Sequence, residues 1–243
     1  MTLYIQDIPV ALLAGGLATR LRPVTRKIPK ALVPVAGRPF IDHQLDLLQR
    51  HGIRKIVLCL GYLGEMVQEH LGGGTSRGME LSYSYDGHQL LGTGGALRRA
   101  LPLLGETFWV MYGDSYMDID YAQVLAAFEA KPKALGLMTV LHNGGQWDKS
   151  NVIFRDGRLI RYDKRNPSPE MLHIDYGVAL LRRAAAERIP DHHFDLANLY
   201  TELVDQGLMI GYEVTTRFYE IGTPASWAEA DEFLKQKQSG TPA

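Results

Sequence analysis

The sequence holds a single cysteine, Cys59, which excludes an internal disulfide framework. It lies in the apolar run Ile56-Val57-Leu58-Cys59-Leu60, where a thiol reads as a small buried hydrophobe. No apolar run approaches the roughly 20 residues that span a bilayer. The N-terminus has no basic region followed by an apolar segment and a cleavage site, which points to a cytoplasmic protein. An excess of either charge is missing too. Lys and Arg number 26 against 27 Asp and Glu, a net charge of −1. That balance argues against a nucleic-acid partner or a membrane partner, so any anionic ligand must be held by local cations. Internal repeats and low-complexity tracts are absent. No serine sits in a G-x-S-x-G elbow, which leaves a hydrolase triad without an anchor. His192 and His193 are adjacent and have no partners at zinc-ligand spacing.

What is present starts with 46% apolar residues in a chain of 243, enough for a substantial core in one large domain or two small ones. The most informative stretch runs from Val10 to Pro23 and on to Lys30. Val10-Ala11-Leu12-Leu13-Ala14 reads as a strand buried on both faces of a parallel sheet. It stops at Gly15-Gly16, where a backbone can approach a ligand closely and free N–H groups can cradle an anion. Arg20 and Lys30 follow, both suited to phosphate, in a loop stiffened by Pro23, Pro29 and Pro34. The glycines alone read equally well as an ordinary strand-to-helix turn; the two cations shift the reading to a polyphosphate site. It is not a P-loop, because no Lys-Ser or Lys-Thr pair follows, nor a G-x-G-x-x-G dinucleotide fingerprint.

Leu13-Ala14-Gly15-Gly16-Leu17-Ala18-Thr19-Arg20-Leu21-Arg22-Pro23-Val24-Thr25, followed by Pro29-Lys30, resembles the signature of the sugar-phosphate nucleotidylyltransferases. In that family the residue before Thr-Arg is usually glycine; here it is Ala18. The resemblance extends in patches along nearly the whole chain. It implies transfer of a nucleotidyl group from a nucleoside triphosphate to a sugar 1-phosphate, with Mg2+ as cofactor.

The rest of the chain alternates strands and helices. A helix is expected from about Pro39 to Arg50, with Ile41, Leu45 and Leu48 on one face and Gly52 ending it. Strands follow at Lys55 to Leu60, Leu81 to Tyr85 and Phe108 to Tyr112. Between them lie a short helix near Glu65 to Leu71 and, after the glycine-rich loop 92–95, another carrying Leu97, Leu101 and Leu104. This pattern predicts parallel crossover units. Asp120 reads as the N-cap of a helix holding Tyr121, Val124, Leu125 and Phe128. From Ala134 the character turns to β: Ala134 to Leu141, a hairpin around Asp156-Gly157, and His173 to Leu181. A helix near Asp195 to Gln206, strands at Met209 to Val214 and Arg217 to Ile221, and a last helix capped by Thr223-Pro224 complete the chain. Gln236 to Ala243 reads as a disordered tail. The expected fold is thus α/β: a Rossmann-like, mixed but mainly parallel sheet flanked by helices, with a small β-rich sugar-binding subdomain. One nucleotidyltransferase domain would cover residues 1–238, its nucleotide half about 1–133 and its sugar half about 134–238, before a tail at 239–243.

Site expectations follow from the sheet's C-terminal edge, where open α/β sheets bind ligands. The carboxylate of Asp114, just past a buried strand, suits magnesium, which takes one or two carboxylates plus phosphate oxygens. By the resemblance, Leu13, Ala14, Gly15, Gly16, Thr19, Gly92, Thr93 and Gly94 hold the nucleotide, and Gly95 lies near the base. Arg20, Lys30 and Asp114 carry the chemistry. Tyr112, Asp163, Lys164, Asp175 and Gly177 hold the sugar phosphate. Glu220 stands where the family has a second metal-binding aspartate, and Asp175 where it has an asparagine. The sugar and base look most like the heptose- or mannose-1-phosphate guanylyltransferase branch. A uridylyl- or thymidylyltransferase acting on a hexose or amino-sugar 1-phosphate is the alternative. A noncatalytic nucleotide-sugar sensor is the rival of another class. Self-association into a homo-oligomer stays open.

Overall fold

The structure, a computed structural model, describes residues 3–239. Its first half opens with β1 (Val10–Leu13), the two-residue strands β2 (Pro34–Val35) and β3 (Arg38–Pro39), then α1 (Phe40–Arg50), β4 (Lys55–Leu60) and α2 (Gly64–Leu71). It continues with β5 (Glu80–Tyr85), α3 (Gly92–Ala100), β6 (Thr107–Tyr112), β7 (Ser115–Tyr116) and α4 (Tyr121–Glu129). The second half holds β8 (Gly136–His142), β9 (Val152–Arg155), β10 (Arg158–Tyr162), β11 (His173–Arg182), α5 (Arg183–Ala186), α6 (Leu196–Asp205), β12 (Met209–Val214), β13 (Tyr219–Glu220) and α7 (Pro224–Gln238).

Nine strands form one sheet. Its path runs β10-β9-β11-β6-β1-β4-β5, and β8 pairs with both β11 and β12. The nucleotide-side strands β6, β1, β4 and β5 are all parallel, as expected for crossover units joined by helices. β11 enters antiparallel to β6, and β8 antiparallel to β11, so the β-rich second half is continuous with the first. The β9–β10 hairpin, turned by Asp156 and Gly157 at φ 51° and 72°, lies at one outer edge and β5 at the other.

Strand alternation sorts the core into two layers. Val10, Leu12, Ile56, Leu58, Trp109 and Met111 face α1, α2 and α4, where Ile41, Leu45, Val67, Val124 and Phe128 meet them. Ala11, Leu13, Val57, Cys59 and Val110 face α3 and α6, against Ala96, Leu97, Leu199 and Leu203. All four residues of β1 are buried, which is why its sequence runs apolar without alternation. Truncating Leu12, which is fully buried, to alanine would cost about 2–5 kcal/mol.

Local rules set the helix starts. Asp120 caps α4 by accepting from the Gln123 N–H at 3.0 Å, and Asp195 caps α6 by accepting from Ala197 at 3.0 Å. Thr223 and Ser226 form a reciprocal capping box at the start of α7. Three expectations are corrected. Gly92 to Gly95 are the first turn of α3, not a loop before it. Pro39 is the N-cap residue of α1 and stands just outside the helix. The segment from Gln236 to Gln238 continues α7, because the helix is docked along its length. Ala230 and Leu234 are buried, the Trp227 indole donates to the Pro34 carbonyl at 2.9 Å, and Asp231 accepts from Ala36 N–H at 2.7 Å. The remainder of the expected tail, 240–243, lies outside the described residues.

Candidate active site

β1 delivers the chain to the C-terminal edge of the sheet. The Ala14 N–H still bonds across to Cys59, at 2.9 Å. Beyond it the N–H groups of Gly15, Gly16, Leu17 and Ala18 meet no acceptor among the described residues. Four successive free donors beside a cleft make an anion cradle. The two glycines serve different ends. A Cβ on Gly15 would sit 2.9 Å from the Gly61 nitrogen, so Gly15 lets two backbones touch, whereas Gly16 faces open space. Neither has positive φ; the left-handed residue of the turn is Ala18, at φ 46°. Its carbonyl is held by the buried Thr25 hydroxyl at 2.8 Å.

The cradle leads into a basic strip. Residues 8–41 contain no Asp or Glu but carry Arg20, Arg22, Arg26, Lys27, Lys30 and Arg38. Arg20, Arg22, Arg26 and Lys27 make no side-chain hydrogen bond or ion pair among the described residues. A protein of near-zero net charge thereby concentrates positive potential at one mouth.

Lys30 reaches across to the end of β6. Its ammonium lies 2.6 Å from Asp114 Oδ2, and the Ser115 hydroxyl donates to Oδ1 at 3.1 Å. The turn bearing Asp114 is fixed on three sides. Gly113 N–H donates to Leu13 at 2.9 Å, and a Cβ on Gly113 would meet the Ala14 methyl at 2.8 Å. The buried Gln44 amide donates to the carbonyls of Tyr112 and Ser115 at 3.0 and 2.7 Å. Ile221 N–H donates to the Asp114 carbonyl at 3.0 Å, and Glu220 pairs with Ser115 across the β7–β13 ribbon. The Glu220 carboxylate folds over Gly222, where a Cβ would collide with it. Two carboxylates therefore stand at one end of this ribbon, beside the N–H cradle. No cluster of three or more His, Cys, Asp or Glu forms an all-protein cage among the described residues. This donor set fits magnesium, which keeps water and phosphate oxygens in its shell.

The cleft occupies about 510 Å³ and is lined from Leu13 to Arg20, by Lys30, Tyr112 and Asp114, and by Cys59, Asp86, Leu90, Gly92, Thr93 and Ala96. Burial pushes the Cys59 thiol up to about 12, so it packs as an inert hydrophobe. Gly92, at φ 72°, has no room for a Cβ against the Phe194 carbonyl. Thr93 ties α3 to α6: its hydroxyl donates to Asp195 at 3.2 Å and accepts from Leu196 N–H at 2.9 Å. Gly94 and Gly95 both donate to Phe194 O, and Gly94 packs under the Phe194 ring, away from the cleft wall.

On the same face of the sheet, one strand beyond β6, a second polar group gathers. Gly177, at φ 96°, lies against the Tyr112 ring. Asp175 accepts from Gly177 N–H at 3.0 Å and from the Tyr162 hydroxyl, and its own N–H donates to Asn151 at 2.9 Å. Burial raises its carboxyl to about 6, although Gly177 and the nearby Lys164 pull the other way. Tyr112 titrates well above its ordinary value because it is desolvated and faces Asp175, Asp195 and Asp114. Lys164 itself is exposed and has no hydrogen-bond or ion-pair partner among the described residues. Asp163 is used locally: it accepts from Arg165 and Asn166 N–H at 3.0 and 2.8 Å and from Arg161 at 3.0 Å, closing the loop that presents Lys164.

The structure thus gathers Leu13, Ala14, Gly15, Gly16, Thr19, Arg20, Lys30, Gly92, Thr93, Tyr112 and Asp114 around one cleft. Glu220 stands beside its floor, and Asp175, Gly177 and Lys164 at the Tyr112 side; Gly94 and Asp163 are spent on packing and loop closure. Asp86 and Gly222 line the cleft without having been singled out. Asp86, like Asp114, lies just past the C-terminal end of a parallel strand, although β5 stands at the sheet's edge and is only partly buried.

A mixed, mainly parallel sheet whose edge presents a backbone anion cradle, unpaired cations and a carboxylate pair defines a nucleotide-handling α/β protein. The sequence profile of the nucleotidyl transferase family matches residues 10–147, and the chain belongs to that family. It is 28% identical over 232 residues to D-glycero-α-D-manno-heptose 1-phosphate guanylyltransferase of Aneurinibacillus thermoaerophilus, covering 92% of this chain and 97% of that one. It is 26% identical over 235 residues to UTP–glucose-1-phosphate uridylyltransferase of Synechocystis sp., covering 90% of this chain but only 58% of that longer protein. The fold is that of HddC from Yersinia pseudotuberculosis, with a TM-score of 0.79 at 24% identity over 94% of this chain and the whole of that one.

Proposed function

We propose that the protein transfers a nucleotidyl group from a nucleoside triphosphate to a sugar 1-phosphate, giving a nucleotide-sugar and pyrophosphate. A phosphate oxygen of the sugar attacks the α-phosphorus. The bond from that phosphorus to the bridging oxygen of the β-phosphate breaks, and pyrophosphate leaves with the electron pair. The nucleophile is already an anion, so little acid–base chemistry is needed; the difficulty is bringing two anions together. Positioning and charge neutralisation carry such a reaction.

The observation that carries this reading is the run of four unpartnered N–H groups at Gly15 to Ala18, leading directly to unpaired Arg20 and facing the Lys30–Asp114 pair. The cradle would take the triphosphate. Arg20 would bind the leaving pyrophosphate, and Lys30 the α-phosphate side. Lys164 would hold the sugar phosphate, and Asp175 would accept from a sugar hydroxyl. Asp114 and Glu220 would hold Mg2+, which supplies Lewis-acid neutralisation of the phosphates. The family is generally dependent on a divalent metal.

Among sugars and bases, a heptose or mannose 1-phosphate with guanine is the reading we favour, and a uridylyl- or thymidylyltransferase on a hexose or amino-sugar 1-phosphate is the second. The test is pyrophosphate release from each nucleoside triphosphate across a panel of sugar 1-phosphates. Release that requires both substrates and Mg2+ is expected. Tight nucleotide-sugar binding without release from any pair would instead make the protein a noncatalytic sensor.

A further inference from the structure

We propose that Gln44 is a positioning residue for the two metal-side carboxylates, its buried amide holding the turn to which Asp114 and Glu220 are both tied. This deepens, and rests on, the nucleotidyl-transfer reading. Gln44 stands on the core face of α1, three residues after Ile41 and four before Leu48. Packing alone would call for another leucine there. The side chain is 2% exposed, and both amide hydrogens are used. Nε2 donates to the Tyr112 carbonyl at 3.0 Å and to the Ser115 carbonyl at 2.7 Å. Those carbonyls bracket Gly113 and Asp114, so one side chain closes the turn. Ser115 is also where the two carboxylates meet. Its hydroxyl donates to Asp114 Oδ1 at 3.1 Å, and its backbone pairs with Glu220.

The amide oxygen shows that the donors are what this position is kept for. Gln44 Oε1 is buried and accepts no hydrogen bond among the described residues. A buried acceptor without a donor is costly, and a leucine or methionine of similar size would avoid that cost. Turning the amide over would set Oε1 against two carbonyl oxygens. The neighbouring buried polar residues of α1 are engaged. Asp42 accepts from His70 at 3.0 Å and Arg77 at 2.7 Å, and His43 Nε2 donates to the Val35 carbonyl at 2.8 Å. Phe40 N–H donates to the Val33 carbonyl at 3.0 Å, so α1 also holds the segment just past Lys30. One helix thereby sets both sides of the Lys30–Asp114 pair. A carboxylate that must meet an ion needs its direction fixed, and hydrogen bonds behind the ligand fix it.

The experiment measures binding of GTP and UTP to the full chain by calorimetry, across a titration of Mg2+. The wild type should bind its preferred triphosphate more tightly when Mg2+ is present. Gln44→Met keeps the volume and loses both donors. It should need about 10–100-fold more Mg2+ for the same effect, the usual cost of removing a partner behind a metal ligand. Its triphosphate affinity in EDTA should match the wild type. In turnover the Mg2+ activation constant should rise by the same factor, with KM for the sugar 1-phosphate little changed. Ile53→Val, a truncation elsewhere in the fully buried core, is the control: it costs stability and should leave the Mg2+ requirement as in the wild type. An unchanged Mg2+ requirement in Gln44→Met, equal losses for Mg2+ and sugar 1-phosphate, or the same loss in Ile53→Val would overturn the assignment. If Gln44→Met fails to fold, Gln44→Asn decides by the same titration, because its amide is one methylene too short to span both carbonyls. If no triphosphate releases pyrophosphate with any sugar, the catalytic reading fails. The Mg2+ dependence of triphosphate binding still judges Gln44, and a wild type whose binding ignores Mg2+ refutes it.

Discussion

Replacing Asp175 with asparagine should stabilise the fold at pH 8 while damaging use of the sugar substrate. Burial lifts the Asp175 carboxyl from 3.8 to about 6. The folded chain therefore holds this proton more tightly than the unfolded chain, and stability falls as pH rises through that interval. Below about 4 the group is protonated in both states and the penalty vanishes; above about 6 it is complete. A shift of about two pKa units corresponds to about 3 kcal/mol at 1.36 kcal/mol per unit. For a domain of this size, each 1 kcal/mol moves Tm by about 2–4 °C. Asparagine keeps an acceptor for Gly177 N–H and the Tyr162 hydroxyl but carries no charge. Its melting temperature should thus exceed that of the wild type by about 6–12 °C more at pH 8 than at pH 4. The difference between pH values is the signal, because a constant offset reflects only the changed amide hydrogen bonds. Circular-dichroism melts of both proteins from pH 4 to 8 measure it. Offsets that do not change with pH would refute the buried-charge argument. A stabilised variant with a raised KM for sugar 1-phosphate would show a charge kept for function at the expense of stability.

Four further outcomes are expected. Asp114→Asn should abolish turnover with an unchanged circular-dichroism spectrum; near-normal activity would remove Asp114 from the metal role. Arg20→Ala should lower kcat by about 10²–10³, as loss of one transition-state electrostatic donor does, and Arg20→Lys should recover only part because an ammonium lacks the guanidinium fork; steady-state kinetics showing wild-type rates for Arg20→Ala would dismiss its phosphate contact. Lys164→Ala should raise KM for the sugar 1-phosphate much more than for the triphosphate, and equal effects on both would place Lys164 elsewhere. Ala18→Gly should gain up to about 1 kcal/mol in urea unfolding, since relief of about 1–2 kcal/mol at positive φ is offset by the greater unfolded-state freedom of glycine; a loss of stability would deny that Ala18 is strained.

The sheet and its site were legible to different depths, for physical reasons. Buried parallel strands write continuous apolar runs, so β1, β4 and β6 stand out, and the helix caps at Asp120 and Thr223 follow from hydrogen-bond demand. Placement of the glycines was less legible. Gly92 to Gly95 suggest a loop by composition, yet their missing side chains let α3 dock on the Phe194 segment, a constraint made by residues a hundred positions away. The family's glycine before Thr-Arg is explained only by the backbone: Ala18 occupies the left-handed region at φ 46°, where glycine is at ease and alanine is strained. The rule that a carboxylate past a buried strand enters the edge crevice singled out Asp114. Asp86 also follows a parallel strand, but β5 is only partly buried, and Asp86-Gly87 also spells a turn, which needs no ligand. What separates the two readings is desolvation. A turn aspartate keeps its water, whereas Asp86 is 6% exposed and desolvation raises its carboxyl above the ordinary value.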